Sequence, residues 1–327
     1  MTKKIILSGN RPTGRLHWGN YTGALENWIR LQDEYDCYFM VADWHVLTTA
    51  LDKSHEIRDN SREMILDWLG AGLDPDRSVL FVQSAVKEHA ELYLVACMLI
   101  SMGRLERNPT FKEQVRDLDL AGEISFGHLG YPVLQAADIL AYRAHAVPVG
   151  EDQLPHLELC REIARRFNHH FGELFPEPEG LVTKFGRFPG TDGRRMSKSL
   201  GNAVEIAAPP EEIRAKLKTA FTDPQRLRRS DPGNPDVCAV YTWYQKFLPD
   251  EVERTAAECR SAERGCVDCK KRLADGAIAY FEPLRERRAG YESHPNRVAE
   301  IVDAGCARAR AVASETLARV RDAMGVG

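Results

Sequence analysis

The stretch KIILSGNRPTGRLHWGNY (Lys4–Tyr21) decides the fold. Lys4–Leu7 is a short apolar run closed by Ser8-Gly9, which reads as a β-strand. Asn10–Arg15 is a turn-rich loop. From His17 onward, Trp18, Tyr21, Leu25 and Trp28 recur at helical spacing. The chain then repeats this strand–loop–helix order. Cys37–Ala42 is a second strand, ending at Asp43-Trp44-His45, and Ile57–Leu69 is an amphipathic helix. Val79–Val82 is a third strand and Glu91–Met102 a buried helix. Pro132–Tyr142 is helical, Ala146–Val149 is a strand, and a helix runs through Leu154, Leu157, Cys160, Ala164 and Phe167. Strands alternating with helices predict an α/β fold, a doubly wound parallel sheet with helices on both faces.

The pattern changes after Phe185. Pro, Gly and basic residues dominate from Lys184 to Asn202. Beyond them the chain is rich in Ala, Arg and Glu, with no convincing strand. The expected division is an α/β unit over 1–190, a mobile loop over 191–204 and an all-helical unit over 205–327. With 327 residues, 43% hydrophobic and 28% charged, the chain is neither collagenous nor mainly disordered. Its longest apolar stretch, Leu92–Met102, is about half of what a membrane span needs. The apolar run in MTKKIILSG is too short for a secretory signal. A cytoplasmic location without a membrane partner is therefore expected.

A net charge of −4 excludes a general polyanion-coating protein. Any nucleic-acid contact must use a local basic patch, for which Arg226, Arg228, Arg229, Lys270, Lys271 and Arg272 are the candidates. Of eight cysteines, Cys37, Cys97 and Cys160 sit in apolar-periodic segments and read as free and buried. Cys238, Cys259, Cys266 and Cys269 crowd together as C-x20-C-x6-C-x2-C. Without a secretory signal, a metal site is favoured over disulfides. Structural zinc usually takes two paired knuckles. The irregular spacing here suits a cluster that collects four thiolates from different segments.

Four further motifs carry chemistry. Gly9–Arg15 looks like a phosphate loop, but Arg15 and Leu16 stand where a P-loop needs Lys and Ser or Thr. His17-Trp18-Gly19-Asn20 opens a helix whose free N–H groups suit phosphate. Gly19 allows close approach of a flat ring, and His17 and Asn20 can donate to phosphate oxygens. Gly193–Gly201, containing RMSKS, is a cationic loop. Its Lys198 and Arg195 could close over a triphosphate and neutralise a leaving pyrophosphate. In Gly130–Leu140, Pro132 suits a first helical position, and Tyr131, Gln135 and Asp138 share one face. An Asp among apolar neighbours is either a paired structural residue or a ligand acceptor. Val147–Gln153 runs from a strand into a helix, where open α/β sheets bind ligands; Asp152 is a plausible N-cap.

The His17–Asn20 and Arg195–Ser199 strings resemble the HIGH and KMSKS signatures of class I aminoacyl-tRNA synthetases. The intervening segments look like the tryptophanyl-tRNA synthetase family, and the resemblance spans essentially the whole chain. Arg195 departs from the usual first lysine, and Gln135 replaces a Met found in many relatives. The resemblance implies a Rossmann-like catalytic domain with a helical anticodon-binding domain. It also implies a tryptophan–tRNA ligase using ATP with Mg2+, L-tryptophan and tRNA(Trp), acting as a homodimer and not on DNA. A tyrosyl-type sibling, disfavoured by the GEDQ string at Gly150–Gln153, and a catalytically silent RNA-binding paralogue are the competing readings.

By the same resemblance His17, Asn20, Lys112 and Lys198 are catalytic. The ATP site takes Arg11, Pro12, Thr13, Gly19, Asn20, Gly150, Glu151, Asp152, Arg195, Met196, Ser197, Lys198 and Ser199. Tryptophan is bound by Asp138, Tyr131, Gln135, His45 and Gln153, with Asp138 accepting the indole N–H. The string Cys238, Cys259, Cys266 and Cys269 is similar to a subset of bacterial members that hold a [4Fe–4S] cluster near the anticodon-binding region, with zinc as the alternative.

Overall fold

The computed structural model describes residues 3–117, 124–182 and 188–327. Five parallel strands form the sheet: β1 (Ile5–Asn10), β2 (Asp36–Val41), β3 (Ser78–Val82), β4 (Ala146–Val149) and β5 (Glu179–Val182). Their order is β3-β2-β1-β4-β5. β1 and β2 pair in register from Ile5–Asp36 to Asn10–Val41. Cys37–Val41 is buried throughout, because helices cover both faces of a parallel sheet. The chain builds outward from β1 to β3, then returns to place β4 on the other side. A crevice therefore opens at the carboxyl ends of β1 and β4. β5 escaped the sequence reading. Glu179-Gly180-Leu181-Val182 is a short edge strand, only half-buried, with no apolar run to announce it.

Two helices differ from expectation. The helix carrying Asp138 spans Phe126–Ala141 and starts well before Pro132. Ser125 caps it, its Oγ accepting the His128 N–H at 3.1 Å. Pro132 then sits in the second turn, where its missing N–H costs only the bond to the His128 carbonyl. The helix expected to be buried over Glu91–Met102 spans Glu88–Met98. It buries Leu92 and Ala96 while Leu94, Met98 and the following Met102 stay exposed. One helix turns a single stripe to the sheet, so a continuous apolar run must also line its outer face.

The opening helix is Trp18–Asn20, continued by a π turn at Tyr21–Leu25 and by Glu26–Leu31. Trp18 leaves the sheet and enters an aromatic cluster with Trp243, Phe247 and Phe281, at centroid distances of 5.5, 4.7 and 5.9 Å. These partners belong to the helices Ala239–Phe247 and Cys266–Glu292. Past β5 the described residues hold helices and only an isolated bridge at Glu205 and another at Pro189–Arg195. The last two helices return to the α/β unit. Cys266–Glu292 lies on the helix Ile57–Ala71, and Pro295–Met324 crosses β3. Among the described residues no helix is long and apolar enough to cross a membrane.

A Cβ at Gly305 would stand 1.9 Å from the Leu80 carbonyl oxygen, so the last helix touches β3 backbone to backbone. Gly305→Ala should push that helix off the strand and cost about 1–3 kcal/mol, the usual range for overpacking. Urea titration should show a lower midpoint at an unchanged slope.

Candidate active site

His17 ends the loop after β1 and caps the opening helix. Its Nδ1 accepts the Asn20 N–H at 3.2 Å, while Asn20 Oδ1 accepts the His17 N–H at 3.1 Å. With Nδ1 an acceptor, the neutral ring carries its proton on Nε2, free to donate. Burial, reinforced by Lys198 and Arg195, lowers the His17 pKa to about 4. The Gly193–Gly201 loop folds over this helix start. Met196 is buried and its Sδ lies 3.4 Å from the Gly19 N–H. Lys198 Nζ donates to the Thr13 carbonyl at 3.0 Å. Asn202 organises the loop from within, its Oδ1 accepting the Ser197 N–H at 2.7 Å. The result is a cleft of about 300 Å³ lined by His17, Gly19, Asn20, Phe188, Arg195, Met196 and Ser197. Ser199 is outside that lining, bonded to Ser197 Oγ at 2.9 Å.

A second group forms around Asp138. Its Oδ2 accepts His45 Nε2–H at 2.9 Å, its Oδ1 accepts His89 Nδ1–H at 2.5 Å, and Gln83 Nε2 reaches both oxygens at 2.8 and 2.9 Å. His89 Nε2 in turn accepts the Tyr142 hydroxyl at 2.7 Å. Burial alone would raise the Asp138 pKa. The hydrogen bonds from His45 and His89 outweigh it and hold the pKa at about 2. Tyr131, one helical turn and more upstream, pairs with His156 Nε2 at 2.8 Å, and Asn108 holds the other ring nitrogen at 3.2 Å. Gln135 is half-buried on the same helix. Arg11 reaches across from the β1 loop to Thr49.

The segment after β4 is less converged. Gly150 caps a short 3-10 turn, Glu151–Gln153, and Asp152 does not serve as the expected N-cap. Its carboxylate instead accepts Gln153 Nε2 at 3.1 Å. A Cβ at Gly150 would meet Asp152 Oδ1 at 2.6 Å, so a larger residue there would displace the Asp152 carboxylate. Glu151 and Asp152 are exposed. The helix Pro109–Asp117 docks here, Thr110 Oγ1 donating to the Asp152 carbonyl at 3.2 Å. Lys112 projects from that helix, exposed and outside the His17 cleft.

A family model described as tRNA synthetases class I (W and Y) matches residues 2–282. The chain belongs to this family. Tryptophan–tRNA ligase of Thermotoga maritima is 48% identical over 98% of this chain and 98% of its own length. That of Aquifex aeolicus is 43% identical over 98% and 99%. A crystal structure of tryptophanyl-tRNA synthetase from Campylobacter jejuni, complexed with ADP and tryptophan, covers 98% of this chain and 100% of its own at 32% identity, with a TM-score of 0.88. The five-stranded sheet and helical C-terminal part are thus those of a class I synthetase.

Around Asp138 and Tyr131, Gln83, His89, Asn108 and His156 escaped the sequence reading. Gln83 directly follows β3, so the strand-end rule applied to β1, β2 and β4 would have flagged it. His89 carries no such signal, and only the packed helix brings it to Asp138.

The four cysteines come from three helices and their caps. Cys238 caps Ala239–Phe247, Cys259 lies in Val252–Arg260, and Cys266 and Cys269 occupy the first turn of Cys266–Glu292. They lie within electrostatic range of one another. Arg226 Nη1 stands 3.9 Å from both the Cys259 and the Cys266 sulfur, and its buried Nε has no hydrogen-bond partner. Among the described residues, no three His, Cys, Asp or Glu side chains are disposed to hold a single metal ion.

The His17 shift sets a pH dependence. An unfolded His takes a proton near pH 6.5, whereas folded His17 resists protonation down to about 4. Its stabilising contribution is complete above pH 6.5 and is lost as pH falls to 4. His17→Gln should therefore flatten the fall in unfolding free energy across that window, measured by urea titration at each pH. Identical slopes in both proteins would mean that His17 is not held neutral.

Proposed function

We propose that this chain is a tryptophan–tRNA ligase, joining L-tryptophan to ATP as tryptophanyl-AMP with release of pyrophosphate, then passing the amino acid to the terminal ribose of tRNA(Trp). The observation that carries the reading is the RMSKS loop seated on the His17 helix start, with Arg195, Met196 and Ser197 lining one cleft with His17 and Lys198 Nζ held on the Thr13 carbonyl. The tryptophan carboxylate oxygen attacks the α-phosphorus, and the bond to the pyrophosphate oxygen breaks. His17 Nε2–H donates to a phosphate oxygen. Lys198 and Arg195 neutralise the leaving pyrophosphate, and Mg2+ accompanies ATP. No covalent enzyme intermediate is needed, because placing the reactants in line supplies much of the rate. Lys112, Arg11, Pro12, Thr13, Gly150, Glu151 and Asp152 complete the nucleotide side in this reading.

Asp138 reads the indole N–H. A carboxylate held near pKa 2 accepts at any working pH. Gln83 alone bonds both of its oxygens. Movement of that amide would free a lone pair for the indole while His45 and His89 keep the carboxylate in place. Tyr131, Gln135, His45 and Gln153 surround the ring.

The division into a catalytic unit (1–190), a mobile loop (191–204) and a helical tRNA-docking unit (205–327) belongs to the same proposal. Arg228 and Lys271 are exposed beside the cysteines and suit phosphate contacts. Exposed Leu94, Met98 and Phe126 support a homodimer. The compartment proposed is the cytoplasm.

Cys238, Cys259, Cys266 and Cys269 would hold a [4Fe–4S] cluster. The thiols come from three helices and their caps, which suits a cluster that collects ligands from separate segments. Arg226 places a cation between two sulfurs that would be anionic as ligands. When bound, the group would supply a structural cross-link among three helices.

Lys198→Ala should cut kcat for tryptophan-dependent pyrophosphate exchange by about 10²–10³-fold, with the tryptophan KM nearly unchanged. Exchange driven by tyrosine instead would defeat the specificity. Protein purified without oxygen should contain about four irons and four sulfides per chain; one zinc per chain would replace the cluster with a mononuclear site.

A further inference from the structure

Arg288 lies near the end of the helix Cys266–Glu292 with only 5% of its surface exposed. Its guanidinium makes a three-way fork: Nε to Asp67 Oδ1 at 2.9 Å, Nη2 to Glu63 Oε2 at 2.5 Å and Nη1 to Glu292 Oε2 at 3.0 Å. Asp67 is fully buried, and its other oxygen accepts the Leu16 N–H at 2.7 Å. Leu16 immediately precedes His17. Its carbonyl accepts the Ile206 N–H at 3.0 Å, and Trp18 N–H donates to the Val204 carbonyl at 2.9 Å. Glu63 also accepts Arg15 Nε at 2.7 Å. The backbone that presents His17 is therefore gripped from the helix Ile57–Ala71 on one side and from the segment after the RMSKS loop on the other. Arg288 ties the first grip to the C-terminal helix. A Cβ at Gly70 would meet Arg288 Cβ at 2.8 Å, so the two helices leave no slack between them.

Buried ion pairs are often no more stabilising than an apolar replacement. What this one supplies, and an apolar contact could not, is a fixed acceptor for one particular amide beside the catalytic histidine. We infer that Arg288 is a positioning residue for adenylate formation, acting through Asp67 on the Leu16 amide and so on the placement of His17. The inference rests on the ligase reading above. The helix that begins with Cys266 and Cys269 thereby ends on the activation site.

The test uses full-length Arg288→Lys, Arg288→Met and the double variant Arg288→Met/Asp67→Asn. Each is assayed by tryptophan-dependent pyrophosphate exchange and by urea unfolding. Arg288→Met strands the Asp67 charge and should lower the urea midpoint. Adding Asp67→Asn removes that charge, while the amide oxygen can still accept from Leu16. In the double variant the midpoint should recover, yet kcat should stay about 10–100-fold low with an unchanged tryptophan KM, because the acceptor is no longer tethered. Recovery of kcat to within about twofold, together with the midpoint, would overturn the inference and leave Arg288 a structural clamp. Arg288→Lys keeps the charge but not the fork, and decides the matter if the double variant does not fold. About a tenfold loss of kcat at a wild-type midpoint supports positioning; a kcat that changes only with the midpoint overturns it. Wild type lacking tryptophan-dependent exchange would defeat the ligase reading itself. Wild type that exchanges beside unaffected variants would defeat only the role of Arg288.

Discussion

β1 sits between β2 and β4, and the active site depends on that single placement. A parallel sheet covered on both faces can admit a ligand only past its strand ends. The chain turns outward on opposite sides of β1, so the helix after β1 and the turn after β4 diverge and leave a crevice. His17 enters it from the first, and Gly150–Asp152 border it from the second. The RMSKS loop then has to come from beyond the sheet, and it does so by pairing Val204 and Ile206 with the His17 backbone.

Two buried aspartates show how one environment produces two roles. Asp138 and Asp67 are both removed from water. Asp138 receives donors from two histidines and a glutamine, so its charge survives burial with a pKa of about 2. Asp67 has the Leu16 amide and the Arg288 guanidinium, and burial wins, raising its pKa to about 6. The first is a charged acceptor at which three side-chain donors converge. The second is a joint between helices, where the hydrogen bond to Leu16 matters more than a full charge.

The helical C-terminal part is not simply appended. Trp18, inside the His17 motif, is packed among Trp243, Phe247 and Phe281, and the last helix touches β3 at Gly305. Apolar burial at Trp18 and the Arg288 ion pair both couple the His17 motif to the helices that carry the four cysteines.

The local strings were legible because their chemistry is local. A strand followed by a glycine turn and a helix, a His-x-Gly-Asn helix start and a compact cationic loop each carry their meaning in consecutive residues. They were enough for four of the five strands and for the family. The sequence by itself also placed Asp138 and Tyr131 on one helix face, since the helical period is independent of surroundings. Apart from His45, which bonds Asp138 at 2.9 Å, what surrounds Asp138 was not legible. Gln83 and His89 stand far from it in sequence: the end of β3 delivers Gln83, and only the docking of the helix Glu88–Met98 onto Phe126–Ala141 brings His89 within bonding distance. The same holds for Arg288, an unremarkable residue in an Arg-rich helix until Gly70 lets two backbones meet. Buried polar partners are chosen by the need to satisfy a desolvated group, and which groups become desolvated is decided by tertiary packing alone.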